Sequence, residues 1–235
     1  MDNSIYIYHH LGMGDHILCN AIVRTYAEKY TRVYLFVKPQ NISNVAYMYR
    51  DLKNFKPIAL DDAQTKFFMR INPDNKYLIV GITLEWFKKL DNKEFETFDH
   101  GFYVAADVPF EHKWNKFYFQ RDIEKEKDTY YNKLGLKDNE NFIFMHDDPK
   151  NGRVINETYI SKNDKIIKPI DYLDIGVFDF LYTIEKAKEI HCMDSSFSCL
   201  IDTIQLRNDN LFMHSYVRKD NSPSPKFKLK WKIIK

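Results

Sequence analysis

Short apolar runs alternate with segments of helical spacing along the chain. The runs are rich in β-branched and aromatic residues, as in RVYLFV at Arg32–Val37, and this composition is typical of buried strands. Beyond Asp15, in contrast, Ile17, Leu18 and Ala21 share one helical face. The alternation predicts an α/β fold in which helices cover both faces of a parallel sheet.

The same pattern predicts the bounds of the elements. Predicted strands cover residues 4–8, 32–37, 56–60, 77–80, 142–146, 154–155, 165–168, 189–193 and 210–214. Predicted helices cover residues 15–26, 41–50, 61–71, 124–134, 177–187 and 196–206, with two further helical pieces on either side of Pro109. A helix stop at Gly135 and a new strand at Phe142 place a domain boundary between Leu134 and Asn141.

The first strand meets the first long helix in the turn His10-Leu-Gly-Met-Gly-Asp-His16. Ligands of open α/β sheets bind beyond the carboxyl ends of the strands, and Gly12 and Gly14 let a ligand approach the backbone closely. The turn lacks the G-x-G-x-x-G pattern, which disfavours a dinucleotide site. For Asp15 the spacing leaves two interpretations open: a cap of the helix, or a general base.

A second strand–helix junction has the sequence CMDSSFSC at residues 192–199. Asp194, Ser195, Ser196 and Ser198 lie at the predicted helix start, where hydroxyl groups and free backbone N–H groups suit a phosphate. The alternative interpretation is ordinary capping of the helix by Asp194 or Ser195.

Two longer runs that contain these turns, HLGMGDHILCNAIVRTYAEKY and EIHCMDSSFSCLIDTI, resemble the heptosyltransferase-like (family 9-type) glycosyltransferases. The first run resembles the family's opening, a strand, a G-x-G-D-type turn and a helix with an arginine, which Arg24 matches. The second resembles the family's late Asp-Ser-Gly-x-x-His segment, with Ser196 at the glycine and Cys199 at the histidine. The resemblance implies a GT-B fold of two Rossmann-like domains facing a cleft, with residues 1–136 on the acceptor side and residues 137–235 binding the nucleotide-sugar.

The resemblance also implies a function. A sugar would move from a nucleotide-activated donor to a glycan or other hydroxyl acceptor, with inversion at the anomeric carbon and without a metal ion or other cofactor. Asp15 would take the proton of the acceptor hydroxyl, and Gly12 and Gly14 would shape the acceptor side. The helix start at residues 194–198 would stabilise the leaving phosphate.

A third polar run, HDDPKNGR at residues 146–153, follows the first strand of the predicted second domain. Arg153 or Lys150 would pair with a diphosphate, and His146 or Asp147 would bind sugar or ribose hydroxyls. The alternative is a hairpin turn with solvated charges. Two adjacent carboxylates are weak support for magnesium, and the chain has no Asp-x-Asp triplet of the kind that GT-A glycosyltransferases usually carry.

The remaining histidines and the C-terminal lysines favour structural interpretations. His9 and His10 end the first predicted strand and are predicted to pack or to form a polar rim; the alternative is that they line the cleft, with His10 binding substrate. His191, inside a strand pattern, is predicted to be a satisfied core residue. Lysines alternate with apolar residues over residues 226–233. This pattern predicts an edge strand whose lysines discourage aggregation, and the alternative is a basic face for an anionic acceptor or a lipid surface.

The composition of the chain limits which partners and which cellular compartment are expected for the protein. Lys and Arg number 35 and Asp and Glu number 33, a net charge of +2 that argues against a nucleic-acid partner. The longest apolar stretch, residues 77–87, is interrupted by Glu85 and is shorter than the roughly 20 residues of a membrane span. No signal peptide is expected, and three cysteines without a C-x-x-C pair favour reduced thiols in the cytoplasm. Peripheral membrane contact through a lipid-linked acceptor stays open.

Two other functional classes remain open on the sequence. A non-catalytic nucleotide- or glycan-binding module with the same fold is favoured by Ser196 and Cys199, which replace the family's glycine and histidine. A nucleotide-sugar epimerase or reductase is disfavoured by the missing dinucleotide motif.

Overall fold

A four-stranded parallel sheet forms the centre of the first part of the chain. The computed structural model describes residues 3–161, 163–218 and 224–235. The sheet contains β1 (Ser4–Tyr8), β2 (Arg32–Val37), β3 (Phe55–Ala59) and β4 (Tyr77–Ile79), in the order β3-β2-β1-β4. Every pairing is parallel, which confirms the arrangement that the alternation predicts.

The two inner strands supply the core of this sheet. Ile5 lies opposite Val33 and Ile7 lies opposite Leu35, and all four side chains are buried. Burial of an aliphatic side chain of this size contributes roughly 1.5–3 kcal/mol, so the apolar runs of β1 and β2 hold the sheet in register.

Seven helices accompany this sheet within the described residues. They are α1 (Met13–Leu18), α2 (Asn20–Ala27), α3 (Ile42–Met48), α4 (Asp62–Ile71), α5 (Leu84–Asp91), α6 (Phe98–Ala105) and α7 (His112–Asn115). Asp61 caps α4: its Oδ1 accepts the Gln64 N–H at 2.8 Å, and Gln64 Oε1 accepts the Asp61 N–H at 3.0 Å. This reciprocal capping box starts the helix where the sequence predicts it.

Arg24 fixes α2 against its surroundings. Its guanidinium donates to both oxygens of Asp51 at 2.9 Å and to the carbonyl oxygens of Met48 and Tyr118 at 3.2 and 2.7 Å. A bidentate arginine–carboxylate pair that is largely buried is both strong and directional. The arginine that matches the family pattern therefore holds in place the helix pair that follows the Asp15 turn.

A five-stranded parallel sheet organises the later part of the chain. It contains β5 (Phe142–His146), β6 (Lys165–Ile167), β7 (Glu189–Cys192), β8 (Leu211–His214) and β9 (Lys232–Ile234), in the order β6-β5-β7-β8-β9. The inner strand β5 is fully buried from Phe142 to Met145. Such a continuous apolar run is typical of a parallel strand covered on both faces.

The helices of this second sheet are short. They are α8 (Ile123–Asp128), which continues as a π-helix over Thr129–Lys133, then α9 (Leu181–Lys186) and α10 (Ser196–Thr203). A 3-10 turn at Val177–Phe180 leads into α9. Nowhere in the described ranges does a helix combine the length and the apolar character that a membrane crossing requires.

The predicted elements and the structure differ in several places. The helix predicted over residues 15–26 is divided into α1 and α2. Residues 154–155 form no strand, because the polypeptide there continues an irregular loop. The alternating C-terminal run pairs only at β9, which is an edge strand as predicted but begins at Lys232. Helix α5 was not predicted, because its residues belong to the apolar stretch that begins with β4.

The chain divides at a different residue from the predicted boundary of 136 and 137. One compact unit comprises residues 1–120 and 223–226, and the other comprises residues 121–222 and 227–235. Helix α8 belongs to the second unit because buried Glu126 pairs with Arg121, which also binds Glu185 at 2.6 Å. Lys125 pairs with Asp179 of the same unit at 2.8 Å. The spacing of apolar residues predicts helix α8, but it contains no information about the ion-pair partners of that helix.

Candidate functional site

Asp15 lies in the first turn of α1, directly beyond the carboxyl end of β1. The N-cap residue is Gly12, whose extended backbone (φ −72°, ψ 150°) contributes no side-chain cap, and Gly14 lies in the same turn. A Cβ atom at Gly12 would lie 2.7 Å from Asp15 Oδ2, so the carboxylate folds over the glycine. Asp15 is half-buried.

Two buried histidines, His9 and His16, flank this turn in the sequence. His9 packs its ring edge-to-face on His16, with the ring centroids 4.6 Å apart. Burial lowers the pKa of His9 to about 4 and the pKa of His16 well below its usual range. Both imidazoles are therefore neutral at pH 7, and neither places a positive charge behind Asp15. The prediction that His9 packs agrees with its full burial.

His10 is fixed by contacts within the first unit. Its Nε2 lies 2.5 Å from the Gly81 carbonyl oxygen, and its ring packs against the rings of Trp86, Phe87 and Phe102. The residue is half-buried. These contacts hold the imidazole in a fixed position just beyond the end of β1.

Sequence reasoning missed a polar cluster beside the Asp15 turn. Tyr8, the last residue of β1, donates its hydroxyl proton to Asp62 Oδ1 at 3.0 Å, and Lys38, which follows β2, lies 3.2 Å from Asp62 Oδ2. Asn41 donates to the carbonyl oxygen of Leu11 at 2.9 Å and so anchors the glycine turn. Their positions in the sequence could have indicated this cluster, because each residue lies at or just beyond the carboxyl end of a strand or at the start of a helix.

The second cluster lies at the start of α10, beyond the carboxyl end of β7. Ser195 is the N-cap and forms a capping box with Ser198, whose Oγ accepts the Ser195 N–H at 2.9 Å. Ser198 is fully buried, and its hydroxyl also donates to the Ser195 carbonyl oxygen at 2.8 Å. Ser196 is half-buried at the first helical position.

His146, the last residue of β5, reaches this helix start. Its Nδ1 lies 2.9 Å from Ser195 Oγ, and its ring packs on Phe197 with the centroids 4.6 Å apart. Burial lowers the pKa of His146 to about 4, although Asp148 acts in the opposite direction. The side chain is neutral at pH 7. Residues that are distant in the sequence, on β5 and α10, thus meet at one edge of the sheet.

The loop after β5 is a tight turn. Asp148 and Arg153 exchange two backbone hydrogen bonds of 2.8 and 3.0 Å, and Arg153 Nη1 lies 3.9 Å from Asp148 Oδ2. Asp147 is buried and accepts the Ile155 N–H at 3.2 Å, whereas Lys150 is exposed. The backbone matches the hairpin interpretation, in which Asp147 supports the loop and Arg153 stays half-exposed at its base.

Arg218 adds a positive charge that sequence reasoning missed. Its Nη1 lies 3.5 Å from Asp194 Oδ2, one residue before the N-cap of α10. Across residues 3–161, 163–218 and 224–235, no three His, Cys, Asp or Glu side chains are grouped so that they could hold a metal ion.

The architecture has solved counterparts. No protein-family model matches the sequence, and no curated protein matches it significantly. A glycosyl transferase of family 9 from Veillonella parvula DSM 2008 superposes with a TM-score of 0.51 at 9% identity, over 86% of this chain and 79% of that protein. Escherichia coli ADP-heptose LPS heptosyltransferase II gives 0.50 at 10% identity, over 90% and 84%. The chain has a heptosyltransferase-like fold.

This heptosyltransferase-like fold confirms the resemblance that the two sequence runs carry, and both structural neighbours are glycosyltransferases. Within it, the predicted site residues fall into two groups. The first group lies in the first unit and contains His10, Gly12, Gly14 and Asp15. These residues are close together because they belong to one turn. In the second unit, His146 at the end of β5 contacts Ser195 after β7, because those two strands are neighbours. Asp147 and Arg153 lie in the loop after β5, and Asp194, Ser196 and Ser198 lie beside Ser195.

Proposed function

We propose that the chain is a glycosyltransferase that moves a sugar from a nucleotide-activated donor to a hydroxyl group of a glycan or lipid-linked acceptor. The reaction is metal-independent and inverts the anomeric carbon. The two units form a GT-B arrangement, with the acceptor on the first unit and the nucleotide-sugar on the second. The protein acts in the cytoplasm, with peripheral contact at a membrane surface where the acceptor is lipid-linked.

The position of Asp15 carries this proposal. In a fold shared with solved glycosyltransferases, a half-buried carboxylate lies beyond the carboxyl end of β1 and folds over a glycine. A sugar hydroxyl is a poor nucleophile, so removal of its proton by a positioned carboxylate contributes about 10²–10⁴-fold. The acceptor oxygen then attacks the anomeric carbon from the face opposite the leaving group, and the anomeric configuration inverts.

The leaving group is a nucleotide diphosphate. Breakage of the bond between the anomeric carbon and the phosphate oxygen leaves negative charge on that oxygen, and the charge needs donors that are already in place. The backbone N–H groups at the start of α10, the Ser196 hydroxyl and the Arg218 guanidinium beside Asp194 have this chemistry. The Arg153 guanidinium, in the loop after β5, has it too. The helix dipole at the N-terminus of α10 adds to the attraction.

Asp15→Asn tests the role of the carboxylate. An amide keeps the size and most contacts of the side chain but does not take up the acceptor proton. Transfer is expected to fall by at least about 10²-fold, while the Kd for the nucleoside diphosphate stays unchanged by calorimetry. Transfer at the wild-type rate in this variant would remove Asp15 from the mechanism.

A thermal-shift screen against nucleoside diphosphates tests the donor class. A ligand at about 100 times its Kd stabilises the folded chain by about 2.7 kcal/mol, which is a shift of several degrees. We expect one base to give the largest shift and the shift to persist in excess EDTA. A shift that disappears with EDTA and returns with Mg²⁺ would contradict the metal-independent proposal.

A second candidate is a nucleotide- or glycan-binding module without catalysis. It is favoured by α10, where Ser198 and Cys199 are both buried and where Cys199 matches the family's histidine. The two candidates make different predictions for one assay. Nucleotide binding without transfer to any member of a broad acceptor panel, and without hydrolysis of the nucleotide-sugar, favours the module.

A further inference from the structure

The C-terminal segment concentrates positive charge that the proposed reaction does not use. Residues 226–235 contain five lysines and no acidic side chain, whereas the whole chain carries a net charge of only +2. Lys226 is neutralised, because its Nζ lies 2.6 Å from both carboxylate oxygens of Glu96. The four other lysines are exposed and are called the basic edge: Lys228, Lys230, Lys232 and Lys235.

The charge of the basic edge is not cancelled by its surroundings. Lys232 Nζ lies 3.1 Å from the side-chain oxygen of Asn210 and 4.9 Å from the centre of the Phe212 ring, and neither partner is charged. In the turn before β8, Arg207 and Asp209 are both exposed and carry opposite charges. These two residues therefore leave the surplus of positive charge unchanged.

Protection of a sheet edge accounts for only part of this charge. Lysines on an edge strand keep two sheets from pairing, and β9 is such an edge. Lys228 and Lys230, however, precede β9 in a stretch that pairs with no strand. Both are exposed while Leu229 between them is half-buried, so the alternation of charged and apolar positions extends beyond the paired residues. The basic edge covers more of the chain than edge protection needs.

Apolar side chains among the lysines indicate which kind of surface the basic edge fits. Ile233 is 53% exposed, and Trp231 is half-buried. A soluble polyanion attracts lysines but offers little apolar surface to an isoleucine. At a bilayer, in contrast, lysines meet anionic headgroups while neighbouring apolar side chains enter the boundary between headgroups and acyl chains. Positive charge and apolar exposure in one segment therefore favour an anionic lipid surface.

We propose that the basic edge docks the protein on an anionic phospholipid surface, with Ile233 entering the headgroup boundary. Each lysine near such a surface strengthens binding about 5-fold, and salt screens the attraction. The inference deepens the proposed function and rests on it for the lipid-linked acceptor, which lies in the same surface. Docking itself needs neither donor nor acceptor.

Flotation of the full chain with lipid vesicles tests the docking surface. We expect binding to vesicles of phosphatidylcholine and phosphatidylglycerol in equal parts, loss of that binding in high salt, and no binding to phosphatidylcholine alone. The triple variant Lys228→Gln, Lys230→Gln and Lys235→Gln is expected to bind the mixed vesicles about 100-fold more weakly. It keeps Lys232, whose Nζ contacts Asn210.

A control variant removes the same charge from other places. Lys53, Lys56 and Lys137 are exposed, and replacement of all three by glutamine should leave vesicle binding at the wild-type level. Urea denaturation shows that both triple variants fold. No binding by the wild-type chain, undiminished binding by the basic-edge variant, or an equal loss in the control overturns the proposal.

Ile233→Gln separates a lipid surface from a soluble polyanion. It should weaken binding to mixed vesicles about 3- to 10-fold, because apolar burial is lost, and should leave binding to heparin, a soluble polyanion, unchanged. Vesicle binding at the wild-type level in Ile233→Gln would overturn the lipid surface in favour of a polyanion.

The vesicle assays and the proposed function fail independently. Nucleoside diphosphate binding and transfer to a soluble acceptor are measured without vesicles, so they persist if docking is overturned. If the wild-type chain binds mixed vesicles but no nucleoside diphosphate, the proposed function fails and the docking surface stands.

Discussion

At the scale of single residues, the pair Gly12 and Asp15 shows how the absence of a side chain positions a functional group. The Asp15 carboxylate occupies the space that a Cβ at Gly12 would enter. The Gly12 backbone is in an ordinary extended conformation, so the glycine is required for space and not for its φ angle. Loss of this space should therefore affect activity more than stability.

Gly12→Ala is expected to displace the Asp15 carboxylate and to lower kcat/KM by about 10²-fold, while the free energy of unfolding changes by less than about 1 kcal/mol. Gly135→Ala is the matched control, because Gly135 has φ +62° and no heavy atom close to its would-be Cβ. That control should lose about 1 kcal/mol through backbone strain and keep its activity. Transfer assays and urea denaturation of both variants measure the contrast, and equal activities would contradict it.

His191 illustrates a residue whose structural interpretation from sequence agrees with the structure. Its Nδ1 lies 2.9 Å from His214 Nε2 and its Nε2 lies 3.2 Å from Glu189 Oε2. The Tyr216 hydroxyl extends this row of hydrogen bonds, because it lies 3.2 Å from His214 Nδ1. One consistent set of neutral tautomers runs from the tyrosine hydroxyl through both rings to the carboxylate, so these buried groups are satisfied.

At the scale of elements, a buried ion pair fastens the C-terminal segment to α6 and α7. Lys113 Nζ lies 2.7 Å from Asp99 Oδ2 and 2.5 Å from the Lys226 carbonyl oxygen, and the Lys226 N–H donates to Asp99 Oδ1 at 3.1 Å. Both ionic side chains are almost completely buried. In such a pair, the loss of one partner leaves an uncompensated charge in the interior.

Lys113→Met is expected to lower the free energy of unfolding by about 3–5 kcal/mol, because Asp99 stays buried without its counterion. Lys116→Met is the control within the same region, since Lys116 pairs with Glu28 at 3.1 Å on the surface and contributes about 1 kcal/mol or less. Urea denaturation of the two variants measures the difference. Equal losses of unfolding free energy in the two variants would show that the buried pair stabilises the protein no more than the surface pair does.

At the scale of the whole molecule, buried neutral histidines make stability depend on pH. Burial lowers the pKa of His9, His146 and His214 to about 4 and also lowers those of His16 and His191. In the unfolded chain each imidazole titrates near 6.5. Between pH 6.5 and 4 the unfolded chain therefore binds protons that the folded chain excludes, and the folded state loses stability as the pH falls.

The urea midpoint is expected to be highest above pH 6.5 and to fall steeply towards pH 5. Each histidine with a folded pKa near 4 reduces the free energy of unfolding by about 2 kcal/mol at pH 5. Denaturation at pH 7.5 and at pH 5.0 measures the loss, and His9→Gln should reduce it by the share of one histidine. An identical midpoint at both pH values would disprove the coupling.

Local patterns account for much of this protein. The alternation of apolar runs and helical spacing predicted both parallel sheets, and capping chemistry predicted the start of α4 at Asp61, because these features depend on residues a few positions apart. The two strand–helix turns, with Asp15 in one and Ser195 in the other, were found for the same reason. The roles of their residues stay predictions until the variants are measured.

The sequence by itself determined the α/β class, the turn that carries Asp15 and the serine-rich start of α10. Only the tertiary structure decided which distant groups meet: His146 with Ser195, 49 residues apart, and Lys226 with Asp99, 127 residues apart. It also assigned α8 to the second unit. The physical reason is that periodicity shows which face of an element is buried, whereas the order of strands in a sheet selects the partner on that face.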